Sequence, residues 1–413
     1  MKKSGNKGGV SLTRRTFTAG AAAAAASLAL PMRHIHAATA LKVGVLLPRS
    51  GPQAGIGQDC QRGVDIAGPI LKELGYPDLE IVSGDTETNV QIARAQAEKM
   101  INEGVQLIVG AFDSGQTTAI AQVAEQKGIP LVINIAASPA ITEQGYKFVF
   151  RNFPNAPKIL GDAFANQKEI FAATGAVPKS AVLLHVNDTF GKAMQGGIGA
   201  VMPKFDMPYK LVEQISYDPK ARDLSVEIAK AKATNADALL VVSRLNDAIL
   251  LTRELVKQRW NPMGILSMGP GWYEDQYIKT LGKLGDDPIS FVPWQDYNKP
   301  LTKVVQEALA KAHPGRAMNT NHTYTFEALM IAADAYKRAG STDPNALADA
   351  LRATNITDNV SAGPGIQFNE KGQNDKLLNV AVQNRDGKHV VVSPKSASNA
   401  DPIWPMRPYD QRG

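Results

Sequence analysis

From residue 41 onward the chain repeats one pattern. An apolar run is followed by a short loop rich in Gly, Ser, Thr and Asn, and then by apolar positions at helical spacing. LKVGVLL, LEIVSGD, QLIVGAF and IPLVIN are the first apolar runs; residues 58–74, NVQIARAQAEKMINEG and TTAIAQVAEQKG are the predicted helices between them. A strand with one wet face alternates apolar and polar residues, whereas these runs are continuous. Continuous runs fit strands covered on both faces, so a parallel sheet flanked by helices is predicted.

Near residue 155 the pattern restarts. KILGDAFANQKEIFAATG predicts a helix, and SAVLLHV, YKLVEQISY, DALLVVS and MGILSMG predict strands with helices between them. After FVPW, residues 291–294, three segments read as helices: LTKVVQEALAKA, TYTFEALMIAADAYKRAG and NALADALRAT. GIQFN, LLNVAVQN and KHVVVS predict three closing strands, the last two joined by an Asn-Arg-Asp-Gly turn. Residues 396–413 carry Pro402, Pro405 and Pro408 and read as an extended tail, with Trp404 placed to pack on the body. Two doubly wound units with later segments crossing back predict a two-lobed α/β protein. Ligands in such sheets bind outside the carboxyl ends of the strands, here across a cleft.

The first forty residues stand apart. They carry Lys2, Lys3, Lys7, Arg14, Arg15 and Arg33 and no acid, then the apolar run AGAAAAAASLAL, then Ala38-Thr39-Ala40. The run is too short to span a bilayer, which takes about 20 helical residues. Basic region, apolar run and small-residue site, in that order, read as an export signal cleaved after Ala40. Arg14-Arg15 fits the twin-arginine route, and the general secretory route is the alternative. Without these six cations the formal charge of +6 falls to zero. The basic balance of the whole chain therefore implies nothing about nucleic acid, and no arginine-rich cluster with interleaved aromatics is present. Cys60 is the only cysteine, which excludes an internal disulfide and any cysteine-based metal site.

The loop PRSGPQAGIG after the first strand has the layout of a nucleotide site. Gly55 and Gly57 fit a dinucleotide fingerprint, but Cys60 takes the place of the third glycine. Asp85, the next strand-end acid, lies 28 positions beyond Gly57, not the expected spacing of about 20. Ser114 follows the strand QLIVG without the glycine spacing of a nucleophile elbow. His34 and His36 fall in the leader; His185, His313, His322 and His389 are scattered, without the i, i+4 partner of a helical zinc site. No enzyme activity, no cofactor and no metal is expected. What remains is a set of strand-end loops, among them DSGQT, AASPA, NDTFG, RLNDA and GPGWYED, each preceding a helix. Helix N-termini offer free N–H groups to an anion. Ser114, Ser138 and Thr189 stand where N-caps would. Each reads singly as a cap, and several on one rim read as a carboxylate site.

Residues 41 to about 393 resemble the periplasmic leucine/isoleucine/valine-binding proteins that serve ABC transporters. KVGVLLPRSGPQAGIGQDCQRGVDIA, LIVGAFDSGQTTAIAQVAEQKGIPLVINIAASPAIT, KFVFRNFP and FEALMIAADAYKRAG carry the resemblance, by their order and spacing. It implies an α/β, bilobed type I periplasmic binding protein fold. Two doubly wound, mostly parallel sheets would be joined by three hinge crossovers, near residues 153–157, 292–297 and 362–365. The implied domains are the signal peptide over 1–40, a first lobe over 41–155 with 296–362, a second over 156–295 with 363–395, and the tail over 396–413. The opening loop would then line a solute cleft.

Carried over residue by residue, Ser114 matches the serine that holds the ligand carboxylate. Ala136 matches the small residue that offers its backbone, and Ser138 the hydroxyl residue two positions on. Phe190 matches the aromatic that closes from the second lobe, without the usual tyrosine hydroxyl. Ile56 stands where an aromatic often caps the ligand side chain. In GPGWYED, Gly271 stands where amino acid binders carry the glutamate that pairs with the ligand ammonium. A buried ammonium without a carboxylate partner is costly. Either Asp113, Asp247 or Glu274 replaces that glutamate, or the solute lacks an α-amino group. In the second case Trp272 and Tyr273 suit an aromatic or other apolar acid, with Arg244 placed to meet its carboxylate. The expectation is a monomeric periplasmic receptor in amino-acid-type transport. It would bind a small carboxylate-bearing solute (a branched-chain or other amino acid, or an aromatic or aliphatic acid) between closing lobes and deliver it to an inner-membrane ABC permease. The alternative is a ligand-sensing module of the same fold that reports to a signalling partner.

Overall fold

The computed structural model describes residues 40–412; apart from Ala40, the signal read over 1–40 lies outside them. β1 (Leu41–Leu47) is buried along nearly its whole length because strands pair with it on both sides. β2 (Leu79–Asp85), β3 (Leu107–Gly110), β4 (Leu131–Ile133) and β5 (Val149–Arg151) complete a parallel sheet in the order β2-β1-β3-β4-β5. The sequence reading did not mark β5 as a strand. It also expected β2 to be covered on both faces; β2 is an edge strand and largely exposed. α1 (Ala54–Asp65), α2 (Ala67–Glu73), α3 (Val90–Asn102) and α4 (Ser114–Lys127) connect these strands.

The second sheet has seven strands. α5 (Ala156–Thr174) leads into β6 (Ser180–Val186), α6 (Thr189–Val201), β7 (Lys210–Tyr217) and α7 (Ser225–Ala233). β8 (Ala238–Val242), α8 (Leu245–Lys257), β9 (Gly264–Ser267), α9 (Asp275–Leu281) and β10 (Ile289–Pro293) follow. α10 (Pro300–Ala312), α11 (Thr320–Ala339) and α12 (Pro344–Arg352) come next, and α11 packs along α1. A Cβ on Gly63 of α1 would lie 2.6 Å from the carbonyl oxygen of His322, so glycine permits that approach. A small antiparallel pair, β11 (Asn355–Ile356) and β12 (Ile366–Gln367), precedes the hairpin of β13 (Asn379–Arg385) and β14 (Lys388–Ser393). The sheet order is β14-β13-β10-β9-β8-β6-β7, with β6 to β10 mutually parallel and the hairpin antiparallel at one edge. Asp386 and Gly387 turn the hairpin at φ 47° and 75°, the left-handed values a two-residue turn needs.

The chain passes between the sheets three times: after β5, after β10, and between β12 and β13. The third passage differs from the sequence reading at residues 362–365. There the chain reaches the hinge, where the Ala362 N–H donates to the Trp294 carbonyl. It then turns back along β5, where Arg151 and Gln373 form a bridge, and enters the second sheet only at Asn379. The backbone of residues 366–374 finds its partners in β11 and β5, which holds it in the first lobe.

One side chain ties the first passage to the segment at residues 360–361. Glu327, on α11 and fully buried, accepts from Asn152 Nδ2 (2.7 Å), the Val360 N–H (2.8 Å), the Ser361 N–H (2.6 Å) and Ser361 Oγ (2.9 Å). Lys299, just past the second passage, donates to Asn359 Oδ1 and the Ser361 carbonyl. The residues after β14 pack on the second lobe. The Trp404 ring covers Gly264, Trp404 Nε1 donates to the Ala176 carbonyl at 2.9 Å, and Arg407 pairs with Asp287 at 2.8 Å. Among the described residues no helix is long and apolar enough to cross a membrane.

Candidate functional site

Residues following β3, β4 and β5 of one sheet and β6, β8 and β9 of the other, with the end of β10, line a partly open cavity. Phe112, Ile135 and Phe153 line it from the first lobe, and Phe190, Met268 and Phe291 from the second. These walls are apolar because each residue extends a strand or helix whose other face is already in the core.

The polar groups cluster at the start of α4. The sequence placed Ser114 as a cap, but Asp113 takes that role: its Oδ1 accepts the Gly115 and Gln116 N–H groups at 2.9 and 3.1 Å. Ser114, one residue on, keeps its hydroxyl for other work. Its Oγ accepts the Ser138 N–H at 3.3 Å, and its own hydrogen meets no acceptor among the described residues. The backbone N–H groups of Ser114, Ala136 and Ala137, all on cavity-lining residues, likewise have no protein acceptor. In the same way Asp188, not Thr189, caps α6.

Arg244 closes one side of the cavity. It sits at the start of α8, buried, with its guanidinium 5.1 Å over the Phe190 ring. Nη2 donates to Asp113 Oδ2 at 2.7 Å and Nη1 to Asp188 Oδ2 at 2.5 Å. Asp188 belongs to the same lobe as Arg244, whereas Asp113 stands across the cleft. Burial alone would lower the Arg244 pKa; the charges of Asp113 and Asp188 more than reverse that, and the net direction is up. Beyond this ion-paired group the cleft widens into a mouth bordered by Gln53, Thr88, Arg222 and Asn246. Asn246 Nδ2 spans it to the Pro52 carbonyl at 3.0 Å.

A family model described as periplasmic binding protein matches residues 40–388. The chain belongs to the periplasmic binding protein family. It is 27% identical over 378 residues to the Leu/Ile/Val-binding protein homolog 8 of Brucella abortus, an alignment covering 87% of this chain and 92% of that relative. Among solved structures it is similar to a leucine-binding protein from Thermotoga maritima, with a TM-score of 0.73 and 23% identity over 86% of this chain and 98% of that one. A solute-binding protein of an ABC transporter from R. palustris, in complex with benzoate, gives a TM-score of 0.73 and 20% identity over 88% and 98%. The fold is the bilobed type I arrangement, with the cavity where the two lobes meet.

In this periplasmic binding protein, Ser114, Ala136, Phe190, Arg244 and Tyr273 line the cavity between the lobes. Tyr273 stands edge-on to Trp294 at 5.4 Å, and burial raises its phenol well above the ordinary value. Three residues of the sequence reading lie elsewhere. Ser138 sits behind the wall and reaches Ser114 through its N–H. Ile56 borders the outer mouth. Trp272 is fully buried in the second-lobe core, its Nε1 on Ser243 Oγ at 2.7 Å and its ring 5.2 Å from Tyr277, so it does not reach the cavity. Arg244, expected to be free for a ligand acid, is spent on two aspartates.

The position of the expected glutamate is closed on steric grounds. A Cβ on Gly271 would stand 2.3 Å from the Arg244 carbonyl oxygen, so no side chain fits without moving backbone. None of the three acids offered as replacements is free. Asp247 accepts the Arg244 N–H and the Tyr217 hydroxyl, at 3.0 and 3.2 Å. Glu274 accepts Asn321 Nδ2 at 2.9 Å, outside the cavity, and burial drives its pKa well up. Asp113 reaches the wall already paired. Gly57 of the opening loop packs on its own turn, where a Cβ would meet the Pro48 carbonyl at 2.0 Å; the loop does not shape a pyrophosphate cradle. Among the described residues no metal-ligating group of three or more converges. The reading missed Phe112, Phe153, Met268 and Phe291, which look like strand-end core in sequence.

Proposed function

We propose that this protein receives a small aromatic or aliphatic carboxylate without an α-amino group and delivers it to an inner-membrane ABC permease. One observation carries the reading: the inner cavity sets unpaired O–H and N–H donors of Ser114, Ala136 and Ala137 against apolar walls, and its one carboxylate is already paired. Donors without acceptors suit an anion at a helix start. An ammonium would meet no free acid and would bear its desolvation cost uncompensated. The Leu/Ile/Val name of the Brucella relative and the benzoate in the R. palustris neighbour both fit a solute of this size. The carboxylate rests on the first lobe in open and closed states. The second lobe adds Phe190, Met268 and Phe291 on closure, which slows release. We also propose export through a signal cleaved after Ala40, by the twin-arginine route or, as the alternative, the general secretory route.

Calorimetry on protein purified from the periplasm tests this with benzoate, phenylacetate, 4-methylpentanoate and leucine. At least one acid is expected to bind, and at 100 times its Kd to add about 2.7 kcal/mol of stability. Leucine binding more tightly than every acid would overturn the reading.

A further inference from the structure

Three arginines are buried among the described residues: Arg151, Arg244 and Arg412. Arg244 has two aspartates, and Arg412 lies 3.9 Å from Asp287. Arg151 has no acid partner. It ends β5, is fully buried, and donates only to neutral acceptors: Gln373 Oε1 at 2.6 Å, Thr142 Oγ1 at 2.9 Å, and the carbonyls of Ala136 and Ser138 at 3.0 and 2.6 Å. Burial pulls its pKa down to about 9, which leaves the guanidinium charged at neutral pH. Glu143 attracts it from the exposed surface without bonding to it. An unpaired charge in a protein interior is kept only where something offsets its desolvation.

The place of this charge suggests its counterpart. The Ala136 carbonyl that Arg151 holds belongs to the same peptide group as the Ala137 N–H. That N–H has no protein acceptor, and both residues line the cavity. A guanidinium on the carbonyl end of a peptide draws electron density toward itself and sharpens the N–H at the other end as a donor. Ser138, the second residue whose carbonyl Arg151 grips, presents its own N–H to Ser114 Oγ.

We propose that Arg151 is a positioning and specificity-determining residue whose buried charge is the counter-ion of the solute's carboxylate, acting one layer back through the Ala136–Ala137 peptide. The inference rests on the carboxylate reading above. It adds that the charge selecting an acid over its neutral isostere belongs to Arg151, while Arg244 serves lobe closure.

The test is calorimetry on wild-type protein, Arg151→Met and Arg151→Lys with two isosteric pairs: benzoate with benzamide, and 4-methylpentanoate with 4-methylpentanamide. Arg151→Met should lose acid affinity by about 10- to 100-fold, by analogy with the groups that stand behind metal ligands. It should leave the amides nearly unchanged, and Arg151→Lys should restore most of the preference for the acid. Equal loss for acid and amide would mark Arg151 as a structural clamp and overturn this inference while the carboxylate reading stands. Wild-type protein that binds amides and not acids, or neither, overturns both. Should Arg151→Met fail to fold, the wild type still decides. Benzoate binding near pH 7, in buffers of different ionisation enthalpy, should take up no proton. Uptake of one proton would mean the acid binds neutral and needs no counter-ion.

Discussion

Asp113→Asn separates closure from capping. Asp113 Oδ1 caps α4, and an asparagine oxygen can keep those two bonds. Oδ2 accepts Arg244 Nη2 at 2.7 Å and Gln53 Nε2 at 3.1 Å; an asparagine NH2 placed there would face both donors. Arg244 retains Asp188, so its charge stays compensated within the second lobe. Asp113 and Arg244 stand on opposite lobes, so the bond exists only when the cleft is closed. A hydrogen bond between charged groups contributes about 1.5–3 kcal/mol. At about 1.4 kcal/mol per factor of ten, Asp113→Asn should shift the closed-to-open ratio roughly 10- to 150-fold toward open. Asp188→Asn, which leaves the cross-cleft bond in place, is the contrast and should shift it little. Spin labels on the two lobes report the ratio directly by pulsed dipolar spectroscopy, with and without benzoate. An Asp113→Asn distance distribution matching that of wild type would refute the assignment of Arg244 to closure.

Ser114→Ala should weaken benzoate binding by about 1.5–3 kcal/mol through loss of one bond to a charged group; an unchanged Kd by calorimetry removes Ser114 from the acid subsite. Glu274 has its pKa raised above the ordinary 4.5, by burial first and by the charge of Asp59 second. A raised folded-state value means the native protein holds the proton more tightly than the unfolded chain. The associated cost is therefore absent below about pH 4.5 and accumulates as pH rises through the folded value. Glu274→Gln should accordingly raise Tm more at pH 8 than at pH 4.5, and an equal shift at both would contradict this. Gly264→Ala puts a methyl group into the Trp404 ring, 2.0 Å from its Cζ3. It should destabilise by about 1–3 kcal/mol, the range for overpacking, read by denaturant unfolding, with a change in tryptophan emission.

Much of the fold was legible because a parallel sheet leaves continuous apolar runs, and β1, β3, β6 and β8 each carry one. The misreadings have physical causes. β5 is only three residues long and ends on Arg151, which breaks the apolar signature. Residues 366–374 were sent to the second lobe because sequence does not say that a backbone segment will pair with β5. At the site, Asp113 and Ser114 are adjacent and either can cap a helix; only the geometry shows that the aspartate does so and frees the serine. Trp272 and Tyr273 are neighbours, yet the turn at Gly271 sends one ring into the core and the other to the cavity. Arg151 was invisible as a functional candidate, since it touches the cavity only through backbone. An arginine directly after the apolar Phe148-Val149-Phe150 of KFVFRNFP was the available signal.

The convergence of Asn152, Val360 and Ser361 on Glu327 has a use in sensor engineering. Segments held by one carboxylate share an anchor at the hinge, and lobe closure is read across the mouth. Pro52 and Asn246 face each other there, both exposed. Cys60 is fully buried and its thiol is pushed far up by desolvation, which makes it a poor target for maleimides. Cysteines placed at those two rim positions would accept a fluorophore pair on a protein that needs no prior cysteine removal. Contact quenching within the pair would report solute concentration.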